Sequence, residues 1–247
     1  MASEKLPPVF CAIDTQDLET AHNLVTQLQI PGIGIKLGLE FFCAQGATGV
    51  KSIQASIPGA SIFLDLKFHD IPNTVAGAIR AVVPLRPALI NVHAGGGPEM
   101  MSAAASAARE AAEKLGIPRP RVLAVTVLTS LDQSDLQAVG QTCPVEDQVV
   151  RLAKLAQQCG MDGVVCSAKE IKLIRTACGP DFALVVPGIR PVGDSQSDQK
   201  RVMAPGEAMA AGATSLVVGR PITASEKPQL AAAAIVEEAQ AHSVSTA

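Results

Sequence analysis

The sequence predicts an α/β protein, a single-domain (β/α)8 TIM barrel, on three observations. Eight short, β-rich apolar runs recur along the 247 residues, segments of helical composition separate them, and polar residues collect where the runs end. Apolar runs joined by helix-length connections read as parallel strands buried on both faces. Eight such units in roughly 250 residues is the barrel count.

Taken in order, Val9 to Ile13 is followed by Asp14, Ile33 to Leu37 carries Lys36, and Ser61 to Leu66 holds Asp65 and leads into Lys67 and Asp70. Ala88 to Val92 includes Asn91 and gives way to His93. Val122 to Leu128 is followed by Thr129 and Ser130, and Gly163 to Val165 leads to Ser167. Ala183 to Val186 runs into Pro187-Gly188-Ile189-Arg190, and Ser215 to Val218 into Gly219-Arg220. Between these runs, Pro98 to Leu115 and Pro144 to Cys159 have helical composition, as does Pro228 to His242 after the last. The alanine-dense stretch Ala103 to Ala112 is helix as well, because alanine has the highest helix propensity and Arg109, Glu110, Glu113 and Lys114 supply a polar face. No Gly/Ser linker, charge run or composition shift divides the chain, so residues 1–247 are expected to form one domain.

Composition excludes several function classes. Twenty basic and 23 acidic residues leave a formal charge of −3, without the basic excess of a nucleic-acid binder. Six Phe, no Trp and no Tyr provide neither a base-stacking platform nor an aromatic belt for a bilayer. Met1 to Pro8 carries Glu4, Lys5 and two prolines, with no apolar stretch behind a basic start, and no run approaches the length of a membrane span. The expected location is the cytoplasm. There, six cysteines without a CxxC pair (Cys11, Cys43, Cys143, Cys159, Cys166, Cys178) read as buried small hydrophobes. His22 and His242 fall in helical segments and are expected to be exposed.

Barrel enzymes carry their chemistry on the C-terminal face, so the run ends matter most. Asp65-x-Lys67-x-x-Asp70 with Lys36 places two carboxylates and two ammonium groups at one mouth. Residues i and i+2 of a strand share a side, which points Asp65 and Lys67 together into the barrel. Alternating charges hold each other ionised, setting an acid beside a group that repels anions. The alternative is a structural ion-pair network. After the seventh and eighth runs, where this fold commonly binds phosphate, Gly188 with Arg190 and Gly219 with Arg220 offer close backbone approach and a guanidinium fork. Turn punctuation with surface arginines is the alternative there. Arg190 to Arg201, long and polar, reads either as a mobile lid or as an ordinary exposed loop.

The segment Asp65-Leu66-Lys67-Phe68-His69-Asp70-Ile71-Pro72-Asn73-Thr74 resembles the signature of the orotidine 5'-phosphate decarboxylase family. Ala12-Ile13-Asp14, Ile35-Lys36-Leu37-Gly38, Asn91-Val92-His93-Ala94, Val127-Leu128-Thr129-Ser130, Pro187-Gly188-Ile189-Arg190-Pro191, Ser197-Asp198-Gln199 and Val218-Gly219-Arg220-Pro221 are similar to family segments in the same order. Ser197 stands where many relatives carry glycine.

The resemblance implies decarboxylation of orotidine 5'-phosphate to UMP in pyrimidine synthesis, without metal or organic cofactor. It makes Lys67 the proton donor, flanked by Lys36, Asp65 and an Asp70 contributed by the other subunit of a homodimer. Asp14, Lys36 and Thr74 would hold the ribose, with Asn73 beside Thr74 in the binding segment and Thr74 likewise crossing the interface. Thr129 and Ser130 would read the pyrimidine edge, and Arg190, Gln199, Gly219 and Arg220 would take the phosphate. The rival readings are a related magnesium-dependent phosphosugar decarboxylase and a non-catalytic nucleotide-binding barrel. The former carries an acidic residue where Lys36 stands, and intact Lys67 and aspartates count against the latter. A Schiff-base aldolase is disfavoured because a lysine held by two carboxylates is a poor amine nucleophile. His93 reads as a packing histidine at a strand end.

Overall fold

Eight parallel strands close in chain order into a barrel: β1 (Val9–Ile13), β2 (Ile33–Gly38), β3 (Ile62–Phe68), β4 (Leu89–His93), β5 (Arg121–Val125), β6 (Gly163–Val165), β7 (Ala183–Pro187) and β8 (Ser215–Val218), with β8 returning to pair with β1. This computed structural model describes residues 5–191 and 203–242. All eight apolar runs are strands of the barrel. Helices α1 (Leu18–Gln27), α2 (Leu39–Ser56), α3 (Pro72–Val82), α4 (Pro98–Leu115), α5 (Gln133–Ala138), α6 (Val145–Gln158), α7 (Ile171–Cys178), α8 (Pro205–Ala210), α9 (Arg220–Thr223) and α10 (Pro228–Ala241) connect or follow them.

Strand alternation builds two cores. Inward-facing Phe10, Phe63, Leu89, Leu123, Val185 and Val217 fill the barrel, together with Leu6 from the segment before β1. The residues between them, such as Val9, Cys11, Ile13, Leu64 and Ile90, face the helices and join the larger outer core. Phe10 and Phe63 meet edge to face with ring centroids 5.8 Å apart, a preferred aromatic geometry. Gly34 on β2 leaves room for the Phe10 ring.

Local chemistry explains the helix ends. α4 begins with Pro98 at its first turn and stops at Gly116, whose φ of 62° closes the helix in the left-handed region that glycine enters freely. Its alanines pack inward while Arg109, Glu110, Glu113 and Lys114 are exposed. The side chain of Asp17 accepts the Thr20 backbone N–H at 2.7 Å and caps α1.

The run Val122 to Leu128 is strand only to Val125. β6 ends at Val165, whose carbonyl accepts both the backbone N–H and the hydroxyl of Thr126. With no further partner strand, Val127 and Leu128 turn over the barrel mouth. His22 is half-buried rather than exposed, because its two ring nitrogens lie between Ser52 and Ser56 of α2 at 2.9 and 2.7 Å. Of the cysteines, Cys11, Cys166 and Cys178 are buried and Cys43 is exposed. Burial, with help from Asp14 and against Lys36, pushes the Cys11 thiol up to about 12, leaving it protonated and unreactive.

The N-terminal end of the barrel is tied shut by hydrogen bonds. The Arg119 guanidinium grips Asp162 through two contacts of 2.9 and 2.6 Å, and Asp162 also accepts the Val122 N–H. Arg175 donates to the carbonyls of Gly179, Phe182 and Gly212, joining the end of α7 to the segments that enter β7 and β8.

A Cβ at Gly34 would lie 2.6 Å from two ring carbons of Phe10 and 2.9 Å from Pro7. Gly34→Ala should therefore overpack the barrel interior and lower stability by about 1–3 kcal/mol. Urea unfolding, read as a lower midpoint at unchanged slope, checks this.

Candidate active site

The C-terminal mouth opens into a cavity of about 570 Å³ lined by strand ends and the loops that follow them. Its polar side is a chain of alternating charges. Lys36, on the inward phase of β2 and almost fully buried, places Nζ 3.1 Å from Asp14 Oδ1 and 3.4 Å from Asp65 Oδ2. Lys67 Nζ lies 2.6 Å from the other oxygen of Asp65. Buried charges persist only when paired and hydrogen-bonded, and here each interior ion has at least one opposite neighbour. Gly38, paired in register with Asp65, leaves space for this chain, since a Cβ there would lie 2.9 Å from Lys36 Nζ.

Burial alone pushes the Asp65 carboxyl up and is the largest single influence on it. The ammonium groups of Lys36 and Lys67, with hydrogen bonds from Lys67 and Asn91, outweigh burial together and hold Asp65 below the ordinary aspartate range. Asp65 therefore stands as a carboxylate at neutral pH.

Strand alternation does not by itself bring Lys67 beside Asp65. β3 and β4 pair Leu64 with Ile90 and next Phe68 with Val92, so β3 spends four residues where β4 spends two. Asp65, Leu66 and Lys67 bulge opposite Asn91. Lys67 takes φ 49°, a left-handed value shared among the described non-glycine residues only by Arg86. Such a conformation costs on the order of 1–3 kcal/mol and collects at functional sites. Asn91 steadies the bulge, its Oδ1 accepting the Lys67 backbone N–H at 2.8 Å and its Nδ2 donating to Asp65 Oδ1 at 2.7 Å. Sequence patterns alone assign Asn91 no role. Its one signal there is a lone amide on the inward phase of an apolar run.

Thr129, Arg190, Gly219 and Arg220 line the same cavity as Asp14, Lys36, Asp65 and Lys67. Arg190 is buried and Arg220 exposed, the latter opening the short helix α9. Val125, Val127, Val165 and Val217 add apolar surface to the lining. Ser130 is exposed and is not among the lining residues. Asp70, Asn73 and Thr74 do not join this chain's cavity either. They lie exposed around the start of α3, where Asp70 Oδ1 accepts the Ile71 N–H and Ile71 is 66% exposed. Gln199 and most of the Arg190 to Arg201 loop lie outside the described residues. His93, half-buried, packs against His69 with ring centroids 5.3 Å apart. Burial first, then His69 and Lys67, hold its imidazole below the usual histidine value against the pull of Asp65.

The family model described as "Orotidine 5'-phosphate decarboxylase / HUMPS family" matches residues 7–235. The orotidine 5'-phosphate decarboxylase of Rhodospirillum rubrum is 54% identical over 240 residues, covering 96% of each chain. That of Moorella thermoacetica is 51% identical over 231 residues, covering 93% of this chain and 91% of the relative. The crystal structure of orotidine 5'-phosphate decarboxylase from Lactobacillus acidophilus superposes with a TM-score of 0.82 at 37% identity, covering 94% of this chain and 99% of the other.

The depressed Asp65 carboxyl makes stability depend on acid. Its contribution is complete above the unfolded aspartate value of about 3.9 and drains away as the pH falls from there through the lower folded value. Asp65→Asn should flatten this part of the profile, seen as a shallower loss of denaturation midpoint between about pH 5 and pH 2 than in the parent protein.

Proposed function

The chain belongs to the orotidine 5'-phosphate decarboxylase / HUMPS family, and from that premise we propose that Lys67 protonates C6 of orotidine 5'-phosphate as CO₂ leaves, with no metal or organic cofactor. The chain is an enzyme, a carboxy-lyase that forms UMP by decarboxylation in pyrimidine nucleotide synthesis. The observation that carries the mechanism is the Lys67 ammonium held 2.6 Å from Asp65 at the edge of the cavity.

Breaking the bond from C6 to the carboxylate leaves an electron pair in an in-plane orbital that the ring cannot delocalise. A preorganised ammonium at that carbon stabilises the developing charge and then supplies the proton. The neutral amine regains its proton from solvent. Asp65 fixes the ammonium and faces the substrate carboxylate, so ground-state repulsion adds to the effect, second in rank to the cation. Lys36 occupies the position between Asp14 and Asp65, which supports a site organised by an ammonium group instead of a metal ion.

In this reading Asp14 and Lys36 hold the ribose, Thr129 and Ser130 meet the pyrimidine edge, and Arg190, Gly219 and Arg220 take the phosphate together with Gln199. Asp70 and Thr74, exposed outside their own cavity, complete the site of a second subunit in a homodimer, with Asn73 beside Thr74 in the binding segment. The chain enters α3 through an extended Ile71 and Pro72, and the exposure of Asp70, Asn73 and Thr74 there supports their use at a second surface. Among the described residues no helix is long and apolar enough to cross a membrane; a cytoplasmic location accords with a phosphorylated metabolite as substrate.

Two experiments test the reading. Lys67→Ala should fold normally yet lose at least about 10⁴-fold in turnover, because both the charge and the proton are removed. Loss of the substrate's ultraviolet absorbance, followed in the presence of a chelator, is the measurement. Substantial residual turnover sinks the assignment. For the shared site, nearly inactive Lys67→Ala and Asp70→Ala proteins are mixed and allowed to exchange subunits. One site of each mixed dimer then draws an intact Lys67 and an intact Asp70 from different chains, so activity should reappear. Continued inactivity of the mixture would show that Asp70 serves its own barrel.

A further inference from the structure

The bulge in β3 creates a problem that one side chain solves. Where Asp65, Leu66 and Lys67 stand opposite Asn91, regular pairing between the strands stops, and backbone groups near the cavity need other partners. Asn91 is fully buried and supplies them from β4. Its amide is used in both directions, accepting from the Lys67 backbone at 2.8 Å and donating to Asp65 Oδ1 at 2.7 Å. The same Asp65 oxygen receives Lys67 Nζ at 2.6 Å. Backbone and side chain of Lys67 are thus tied to one point, the former directly and the latter through Asp65.

We propose that Asn91 is a positioning residue that sets the place of the Lys67 ammonium by anchoring the bulge and orienting the Asp65 carboxylate. This role rests on the decarboxylase reading for its catalytic consequence. Its structural half does not. An asparagine is specific here because the bulge needs one acceptor and one donor on the same rigid group, which neither an aspartate nor an aliphatic residue of that size supplies. Neighbours of Asp65 from every side are accounted for: Lys36 on β2 with Asp14 beyond it, Lys67 on its own strand, and Asn91 and His93 on β4.

Two variants separate the functions of the amide. Asn91→Leu keeps the bulk and removes both contacts, while Asn91→Asp keeps the acceptor for the Lys67 N–H and replaces the donor with a second carboxylate. Asn91→Leu should lose about 100-fold in kcat, the size expected when a reacting group is misplaced by about 1 Å. Its KM should stay within about threefold, since the ribose and phosphate contacts are elsewhere. The acid limb of the kcat profile should move to higher pH in both variants. The larger move belongs to Asn91→Asp, because two touching carboxylates cannot both ionise freely.

Hydrogen exchange at the Lys67 amide supplies a readout independent of catalysis: faster in Asn91→Leu, close to the parent in Asn91→Asp. A folded Asn91→Leu protein with kcat within about threefold of the parent and an unmoved acid limb overturns the proposal, as does unchanged exchange at Lys67. If Asn91→Leu does not fold, the acid limb of Asn91→Asp decides alone, an unmoved limb overturning the proposal. A parent protein that fails to decarboxylate orotidine 5'-phosphate overturns the functional reading instead, and the exchange comparison still decides whether Asn91 holds the bulge.

Discussion

A carboxylate largely withdrawn from water at the mouth of a barrel has to be surrounded by donors, and Asp65 imposes that condition on everything near it. Lys36 reaches it from β2, Lys67 from its own strand and Asn91 from β4. Because removing one partner from such a group leaves an uncompensated charge, these residues form one unit. The constraint extends to residues without charge. Gly38 is paired with Asp65 and lacks the side chain that would displace Lys36 Nζ. β3 abandons regular pairing so that Lys67 turns back toward the same carboxylate, with the backbone strain held by Asn91.

The two ends of the barrel spend their polar groups differently. At the N-terminal end, Arg119 and Asp162 satisfy each other and the Val122 N–H, while Arg175 satisfies the backbone carbonyls around it. Polar groups there are consumed in holding the frame. At the C-terminal end, Lys36, Asp65 and Lys67 are held by each other in the lining of a cavity that valines also line. Ions in a partly apolar cavity interact more strongly than in water, which is the condition the proposed mechanism requires. A rigid floor and a charged mouth are complementary, since a preorganised ammonium works only if the strands carrying it do not move.

The exposed edge around the start of α3 gives the fold a second polar feature. Asp70, Asn73 and Thr74 follow the bulge closely in sequence yet are exposed and stand outside the lining of the cavity that Lys67 enters. Between them stands Ile71, largely exposed. An apolar side chain flanked by polar groups suits a surface that meets another surface. The proposed homodimer would give this edge its partner and return Asp70 and Thr74 to a reacting centre.

The (β/α)8 architecture was legible in the order of residues because each strand is an unbroken apolar run and each connection has helical composition. All eight runs became strands, and the Pro98 to Leu115 helix has the ends that its proline and flanking glycine mark. The charge cluster at the mouth was legible for the same reason, since Lys36 and Asp65 interrupt apolar runs near their C-terminal ends and Lys67 follows one. What the order of residues could not state was the route by which Lys67 reaches Asp65. Alternation predicted the right neighbours from a regular strand, whereas the protein achieves the contact through a bulge, which depends on the register of β4 and appears in no local pattern. Asn91 was invisible as a site residue for that reason: its value comes from standing opposite three residues of another strand. Likewise Val127 and Leu128 continue the composition of β5 but leave the sheet, because β6 is too short to pair with them. Sequence by itself determined the elements and the charges, which depend on local periodicity and residue type. Tertiary structure alone decided the contacts between those charges, because they are set by how neighbouring strands differ in length and register.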